Sequence, residues 1–117
     1  MKKVYIGMSA DIVHPGHLNI LSEGSKLGKV IVGVLTDEAV ASYKRLPYLS
    51  FEQRKKIIES IKYVDRVVAQ KTLDYSDNLN SIKPDYVLHG DDWKKGVQKG
   101  IRQNVINLIS KWGGKVI

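Results

Sequence analysis

The strongest constraint on the fold is a regular alternation of apolar segments and amphipathic segments along the chain. Five short apolar segments, at residues 4–8, 30–35, 66–69, 85–89 and 115–117, have the length and composition of buried strands. Between them, helical spacing is found at residues 16–26, 51–63, 75–82 and 97–111, and a helical turn begins at 36. Strands that alternate with helices form parallel sheets covered on both faces. We therefore predict an α/β fold, a Rossmann-like three-layer sandwich with a five-stranded parallel sheet.

Length and composition fit one globular domain over residues 1–117. Hydrophobic residues make up 43% of the chain and charged residues 26%, which is ordinary for a globular protein. No apolar run approaches the ~20 residues that cross a bilayer, and the N-terminal apolar stretch is too short for a signal peptide. The chain has no cysteine, which excludes disulfides and thiolate metal sites. We expect a cytoplasmic location.

The charge balance points to an anionic partner. The chain carries 19 lysines and arginines against 12 acids, a formal net charge of +7. The basic residues are scattered along the sequence and do not form one tract. A small, phosphate-rich substrate fits this distribution, and we expect neither nucleic acid nor a membrane as partner.

A cluster of histidine, proline and glycine stands where the first strand gives way to the first helix, in the segment from Asp11 to His17. Pro15 suits the first turn of a helix, and Gly16 lets a phosphate approach the backbone. The helix N-terminus offers N–H groups to an anion. His14 and His17 can face one ligand, and their imidazoles can donate hydrogen bonds to phosphoryl oxygens in a transition state. The pattern favours phosphate chemistry.

Two other interpretations of the histidines stay open on the residues alone. They can be polar loop residues, one of them capping the helix. They can also form a metal site together with Asp91 or Asp92, although phosphate chemistry explains Gly16 and a metal site does not. On balance we expect no protein metal site.

Polar residues follow the fourth predicted strand as well. The segment Gly90-Asp91-Asp92-Trp93 places two carboxylates and an indole at the edge where such sheets bind ligands, which suits recognition of a base or ribose. The alternative is a plain turn, because Gly-Asp pairs form turns well.

Basic residues near the same edge are candidates for phosphate contacts. Lys44 lies in the loop after the second strand, and Arg54 lies in the first turn of a helix for which Ser50 and Gln53 predict a capping box. Either can neutralise phosphates. We interpret Arg45 as a solvated surface charge.

His14-Pro15-Gly16-His17 matches the His-x-Gly-His signature of the nucleotidyltransferase superfamily. Further segments resemble the glycerol-3-phosphate cytidylyltransferases in order and spacing: Leu35-Thr36-Asp37-Glu38, Ser50-Phe51-Glu52-Gln53-Arg54-Lys55, Tyr63-Val64-Asp65 and Gly90-Asp91-Asp92-Trp93. The chain is also similar to the cytidylyltransferase domain fused to phosphoenolpyruvate mutase. The histidine signature also occurs in adenylyltransferases, and the Gly-Asp-Asp-Trp segment is what favours the cytidylyl branch.

The resemblance implies transfer of CMP from CTP to a small phosphate- or phosphonate-bearing acceptor, with Mg²⁺ held mainly by the CTP phosphates. It implies that His14 and His17 contact the phosphates and stabilise the transition state, that Lys44 binds phosphate groups, and that Arg54 acts in the acceptor or phosphate region. It also implies a set of nucleotide-binding residues: Met8, Ser9, Ala10, Asp11, Gly16, Gly90, Asp91, Asp92 and Trp93. The acceptor stays open among glycerol phosphate, other polyol phosphates, phosphocholine-like molecules and alkylphosphonates.

Two departures from the family pattern accompany the resemblance. The family's Gly-Thr-Phe-Asp turn is Met8-Ser9-Ala10-Asp11 in this chain, and the chain stops at Ile117, where the family's triphosphate-binding segment begins. We therefore expect weak or absent activity from this length alone, and expect the chain to be part of a longer multidomain protein. A homodimer is also implied. The alternatives are an adenylyltransferase and a non-catalytic nucleotide-binding regulatory module.

Overall fold

The secondary structure follows the predicted alternation throughout. The computed structural model describes residues 1–43, 45–89 and 97–117, with the backbone alone at 97–99. The strands are β1 (Lys3–Met8), β2 (Lys29–Leu35), β3 (Arg66–Gln70), β4 (Tyr86–Leu88) and β5 (Lys115–Val116). The helices are α1 (Pro15–Leu27), α2 (Asp37–Ala41), α3 (Phe51–Glu59), α4 (Ser76–Ile82) and α5 (Val97–Ile109), the last followed by a 3₁₀ turn at Ser110–Trp112.

All the strand pairs are parallel, and the five strands lie in the order β3-β2-β1-β4-β5. The chain therefore builds outward from the central β1 through β2 to β3, and then crosses to the other side of β1 to add β4 and β5. The order of the strands reverses between β1 and β4, and ligands bind at the carboxyl ends of strands beside such a switch point. The predicted Rossmann-like fold is confirmed.

Alternate strand residues supply the two hydrophobic layers of the sandwich. On one face, Val4, Ile6 and Met8 pack with Leu21 of α1 and Ile58 of α3. On the other face, Tyr5 and Val87 pack with residues of α4 and α5: Leu79, Ile82, Val105 and Ile109. Helix α1 therefore covers one face of the sheet and α4 the other, which lets each contribute residues to the carboxyl edge from its own side.

The capping box predicted for α3 is present, but the helix is shorter than predicted. The N–H of Gln53 donates to Oγ of Ser50, and the N–H of Ser50 donates to Oε1 of Gln53. The helix ends at Glu59, and not at residue 63, because the chain tightens into i→i+3 turns. These turns bring Asp65 to the start of β2, where its carboxylate accepts from the N–H of Val30 at 2.8 Å.

Within the part of the chain that the structure describes, no helix has both the length and the apolar character needed to cross a membrane.

Candidate functional site

A cavity of 420 Å³ opens at the carboxyl edge of the sheet, where the fold predicts a ligand. Every one of the first four strands, or the segment that follows it, contributes to its wall. The described lining residues are Ile6, Gly7, Met8, Ser9, His14, Gly16, His17, Ile20, Leu35, Tyr43, Gln70, Leu73, Tyr75 and His89. None of these is an aspartate, glutamate, lysine or arginine, so histidines are the strongest bases in this part of the wall.

His14 and His17 hold each other at the start of α1. Nδ1 of His14 accepts from the N–H of Gly16 at 3.1 Å, and Nδ1 of His17 accepts from the N–H of His14 at 3.2 Å. Their ring centroids are 4.1 Å apart. Because both Nδ1 atoms accept, the neutral rings carry their protons on Nε2. Each imidazole therefore presents an N–H donor on the side away from its cap, and both rings border the cavity.

This cap changes how the start of α1 can bind an anion. The N–H of Gly16 is used by His14, and the N–H groups of His17 and Leu18 donate to the carbonyl oxygen of His14. The sequence predicted open backbone N–H groups at this position, and in the structure these three are occupied. The two imidazoles border the cavity at this point, so they are candidates for the phosphate contact that the backbone was predicted to make. Gly16 is also required sterically, because a Cβ would lie 2.8 Å from Cε1 of His14.

The turn after β1 is divided between the cavity and the protein interior. Met8 and Ser9 line the cavity, while Ala10 is buried with a positive φ of 58°. Asp11 is buried too, and its carboxylate accepts from Nη1 of Arg45 at 2.9 Å and from the N–H of Leu49 at 3.1 Å. Of the four residues in this turn that were predicted to hold nucleotide, two therefore border the cavity and two are buried.

Arg45 is exposed, as the sequence suggested, but it is also held in an ion pair that the sequence did not predict. Its guanidinium pairs with the buried Asp11 and lies 3.9 Å from the ring centroid of Tyr48. Burial by itself raises the pKa of the Asp11 carboxyl, but hydrogen bonds from Arg45 and from the backbone at Leu49 and Tyr48 outweigh it and hold the pKa below its usual range. The ion pair connects the segment between α2 and α3 to the turn after β1.

Arg54 does not border the cavity, contrary to its predicted role near the acceptor. The residue is 0% exposed. Nη1 donates to the carbonyl oxygens of Ser9 and Leu35, each at 2.6 Å, and Nε donates to that of Leu49 at 3.0 Å. Nη2 forms an ion pair with Asp37 at 2.7 Å. One guanidinium thus ties together the ends of β1 and β2 and the starts of α2 and α3, and Arg54 is a positioning residue.

Gln70 of the cavity wall belongs to a polar chain that the sequence reasoning missed. The hydroxyl of Tyr5 donates to Oε1 of Gln70 and accepts from Nδ2 of Asn78 at 3.0 Å. Tyr75 packs edge-on against Tyr5, with ring centroids 5.6 Å apart.

Two glycines within central strands could have indicated from the sequence that large side chains lie across these strands. A Cβ at Gly33 would lie 1.8 Å from the Tyr5 hydroxyl, and one at Gly7 would lie 2.4 Å from that of Tyr75. A glycine inside a strand often marks such a close approach.

The remaining predicted residues fall elsewhere. Lys44 and the segment Gly90-Asp91-Asp92-Trp93 lie outside the described residues, so their roles stay predictions. His89, which directly precedes that segment, lines the cavity and lies 6.4 Å from Tyr75 between ring centroids. Among the described residues there is no group of three or more histidines and acids placed to hold a metal ion.

The comparison with known families decides the affiliation. Residues 5–109 match the family described as Cytidylyltransferase-like. The chain belongs to this family of nucleotidyltransferases. The match includes most of β1, the histidine cap, Arg54 and the wall at Gln70, so all the described lining residues of the cavity lie within the family domain.

Individual relatives of this cytidylyltransferase-like chain differ in the nucleotide that they use. It is 39% identical over 95 residues to the FAD synthase of Methanopyrus kandleri, covering 78% of this chain and 63% of that protein. It is 34% identical over 96 residues to the glycerol-3-phosphate cytidylyltransferase of Bacillus subtilis, covering 80% of this chain and 74% of that one. A solved lipopolysaccharide core biosynthesis protein from Thermoplasma volcanium superposes with a TM-score of 0.83 at 28% identity, covering 99% and 94% of the two chains.

Proposed function

We propose that this protein transfers CMP from CTP to a small acceptor that bears a phosphate or phosphonate, with release of pyrophosphate. The observation that carries the proposal is the reciprocal histidine cap, whose two imidazoles border a cavity beside the switch point of the sheet. Donors fixed in this way stabilise negative charge that develops on phosphoryl oxygens in a transition state.

The reaction needs no protein nucleophile. An oxygen of the acceptor's phosphate or phosphonate attacks the α-phosphorus of CTP, a new P–O bond forms, and the bond between the α-phosphorus and the bridging oxygen breaks in line. The electron pair leaves with pyrophosphate. The protein contributes position and charge stabilisation, through His14 and His17 at the phosphates and through Arg54, which holds the surrounding segments in place.

Mg²⁺ is part of this proposal as a companion of the nucleotide. The described wall of the cavity carries no carboxylate, which suits an ion that is held mainly by the phosphates and its own waters. Bound there, Mg²⁺ would neutralise charge on the phosphates.

A second candidate is transfer of AMP from ATP. It is favoured by the similarity to FAD synthases, of which the Methanopyrus kandleri protein is an example. The similarity to a glycerol-3-phosphate cytidylyltransferase favours CTP. The histidine cap serves either reaction, because the phosphates are common to both nucleotides.

The test is pyrophosphate release by the complete gene product, with CTP or ATP, Mg²⁺ and a panel of acceptors. The panel holds glycerol 3-phosphate, phosphocholine, phosphoethanolamine, two alkylphosphonates and FMN. Turnover with CTP and one of the small acceptors supports the proposal, and turnover with ATP and FMN replaces it with the second candidate. Binding of CTP without pyrophosphate release from any pair would identify a regulatory module.

A further inference from the structure

The wall of the cavity opposite the histidines is formed by the end of β3 and the connection to α4. Gln70, Leu73 and Tyr75 belong to this wall. Helix α1, which carries the histidine cap, packs on one face of the sheet, and α4 packs on the other. A ligand whose phosphates lie at the histidines can therefore place its remaining atoms against the β3–α4 wall.

Gln70 is the polar group built into that wall. It is 2% exposed, and its neighbours in the described lining include the apolar side chains of Leu35 and Leu73. Nε2 of Gln70 donates to the carbonyl oxygen of Thr72 at 3.0 Å, and Oε1 accepts from the Tyr5 hydroxyl. A buried amide of this kind has two N–H groups, and this bond to Thr72 uses one of them.

The orientation of the Gln70 amide is fixed from behind. Asn78 donates to the Tyr5 hydroxyl at 3.0 Å and to the carbonyl oxygen of Ala69 at 2.9 Å, so Tyr5 is held as a donor toward Gln70. Burial raises the pKa of Tyr5, with the hydrogen bond from Asn78 acting in the opposite direction, so the hydroxyl keeps its proton. Rotating the amide by half a turn would face the Thr72 carbonyl with an oxygen, which is repulsive.

We propose that Gln70 is a specificity-determining residue for the acceptor. Its second amide N–H donates to an oxygen on the non-phosphate part of the acceptor, and Leu35, Leu73 and Tyr75 surround the carbon chain. The acceptor is thus a small phosphate or phosphonate with a hydroxyl or carbonyl oxygen a few bonds from phosphorus. An ammonium group is disfavoured at this point, because it faces an N–H donor and the described wall holds no carboxylate. This inference rests on the proposed function.

A matched pair of acceptors isolates the contact. 2-Hydroxyethylphosphonate and 2-aminoethylphosphonate differ only in the terminal oxygen or ammonium. With the complete gene product, CTP and Mg²⁺, we expect kcat/KM to be at least about tenfold higher for the hydroxyl compound, because one buried hydrogen bond is worth about tenfold. In the Gln70→Met variant that preference falls to about unity, while the KM for CTP stays within about twofold. A wild-type preference for the ammonium compound, or a preference that Gln70→Met leaves unchanged, overturns the proposal.

A second variant guards against loss of fold. Gln70→Met leaves the Tyr5 hydroxyl without its acceptor. The double variant Gln70→Met with Tyr5→Phe removes both partners of this hydrogen bond and leaves no unpaired hydroxyl. Thermal melts of the single and double variants show whether each keeps its fold. If the wild-type protein releases no pyrophosphate with CTP or ATP, the proposed function fails. Calorimetry with the two phosphonates then still tests whether Gln70 binds the hydroxyl compound. Binding of the hydroxyl compound that the double variant loses supports Gln70. Equal binding by both proteins, or none by either, overturns it.

Discussion

The two walls of the cavity are built in opposite ways. At the histidine wall the deciding hydrogen bonds join residues two or three positions apart, and they lie at an exposed loop. At the β3–α4 wall, Tyr5 is 65 residues from Gln70 and 73 from Asn78; the first contact is buried and the second partly buried. Short-range bonds orient the histidines without help from the core, whereas the Gln70 amide is oriented only when three separate elements have come together. The orientation of the histidines and the orientation of Gln70 therefore depend on different parts of the fold.

Arg54 ties together the ends of β1 and β2 beside the cavity, and its removal should have the largest effect. Arg54→Met leaves the carbonyl oxygens of Ser9, Leu35 and Leu49 without their donor inside the protein. We expect a loss of about 3–5 kcal/mol in the free energy of unfolding, measured by urea denaturation. Lys56→Met, on the exposed side of the same helix, is the control and should cost less than about 0.5 kcal/mol. Equal, small losses would show that Arg54 is not the tie between the segments.

The histidine wall should separate activity from stability. His14→Ala and His17→Ala should each lower kcat by about 10²- to 10³-fold, because a donor to the developing charge is lost, while the lost cap costs about 1 kcal/mol of stability. His14→Asn sharpens the test, since asparagine is a good N-cap but has no imidazole N–H to offer. It should restore stability and leave kcat low. Loss of kcat and stability in proportion would indicate a structural role only.

The β3–α4 wall should instead respond to changes inside the sheet. Gly33→Ala places a methyl group against the Tyr5 hydroxyl, which is fully buried, and should cost about 1–3 kcal/mol and displace Gln70 from its bond with Tyr5. Gly100→Ala is the control, because a Cβ there meets nothing within 4 Å and alanine favours the helix by about 0.5–1 kcal/mol. Thermal melts should thus move in opposite directions. A neutral Gly33→Ala would mean that Tyr5 shifts freely.

The same division between local and long-range contacts explains what could be predicted from the sequence. Apolar periodicity predicted all five strands, and the pair Ser50 and Gln53 predicted the cap of α3, because both signals lie within one segment. The histidines were identified for the same reason.

Arg54 was predicted as a phosphate ligand because its burial depends on Ser9 and Leu35, which only the folded sheet brings near. Tyr5 was hidden within an apolar strand, since the partner of its hydroxyl is set by the register of β2 with β3. The ion pair of Arg45 was missed for a similar reason: its partner Asp11 lies 34 positions away.

The smallest predicted effect tests how the turn after β1 is anchored between the two walls. The pKa of Asp11 is lowered in the folded chain, so its ionised form stabilises the fold above the ordinary carboxyl value of about 4. That contribution is lost as the pH falls through the lower, folded value. Arg45→Gln removes the guanidinium, whose hydrogen bond does most to offset the rise in the Asp11 pKa that burial causes. The variant should therefore be less stable than the wild type at pH 6, and the gap should narrow toward pH 3, as followed by urea denaturation at each pH. A gap that does not change with pH would show that the backbone N–H groups at Tyr48 and Leu49 suffice to hold the carboxylate.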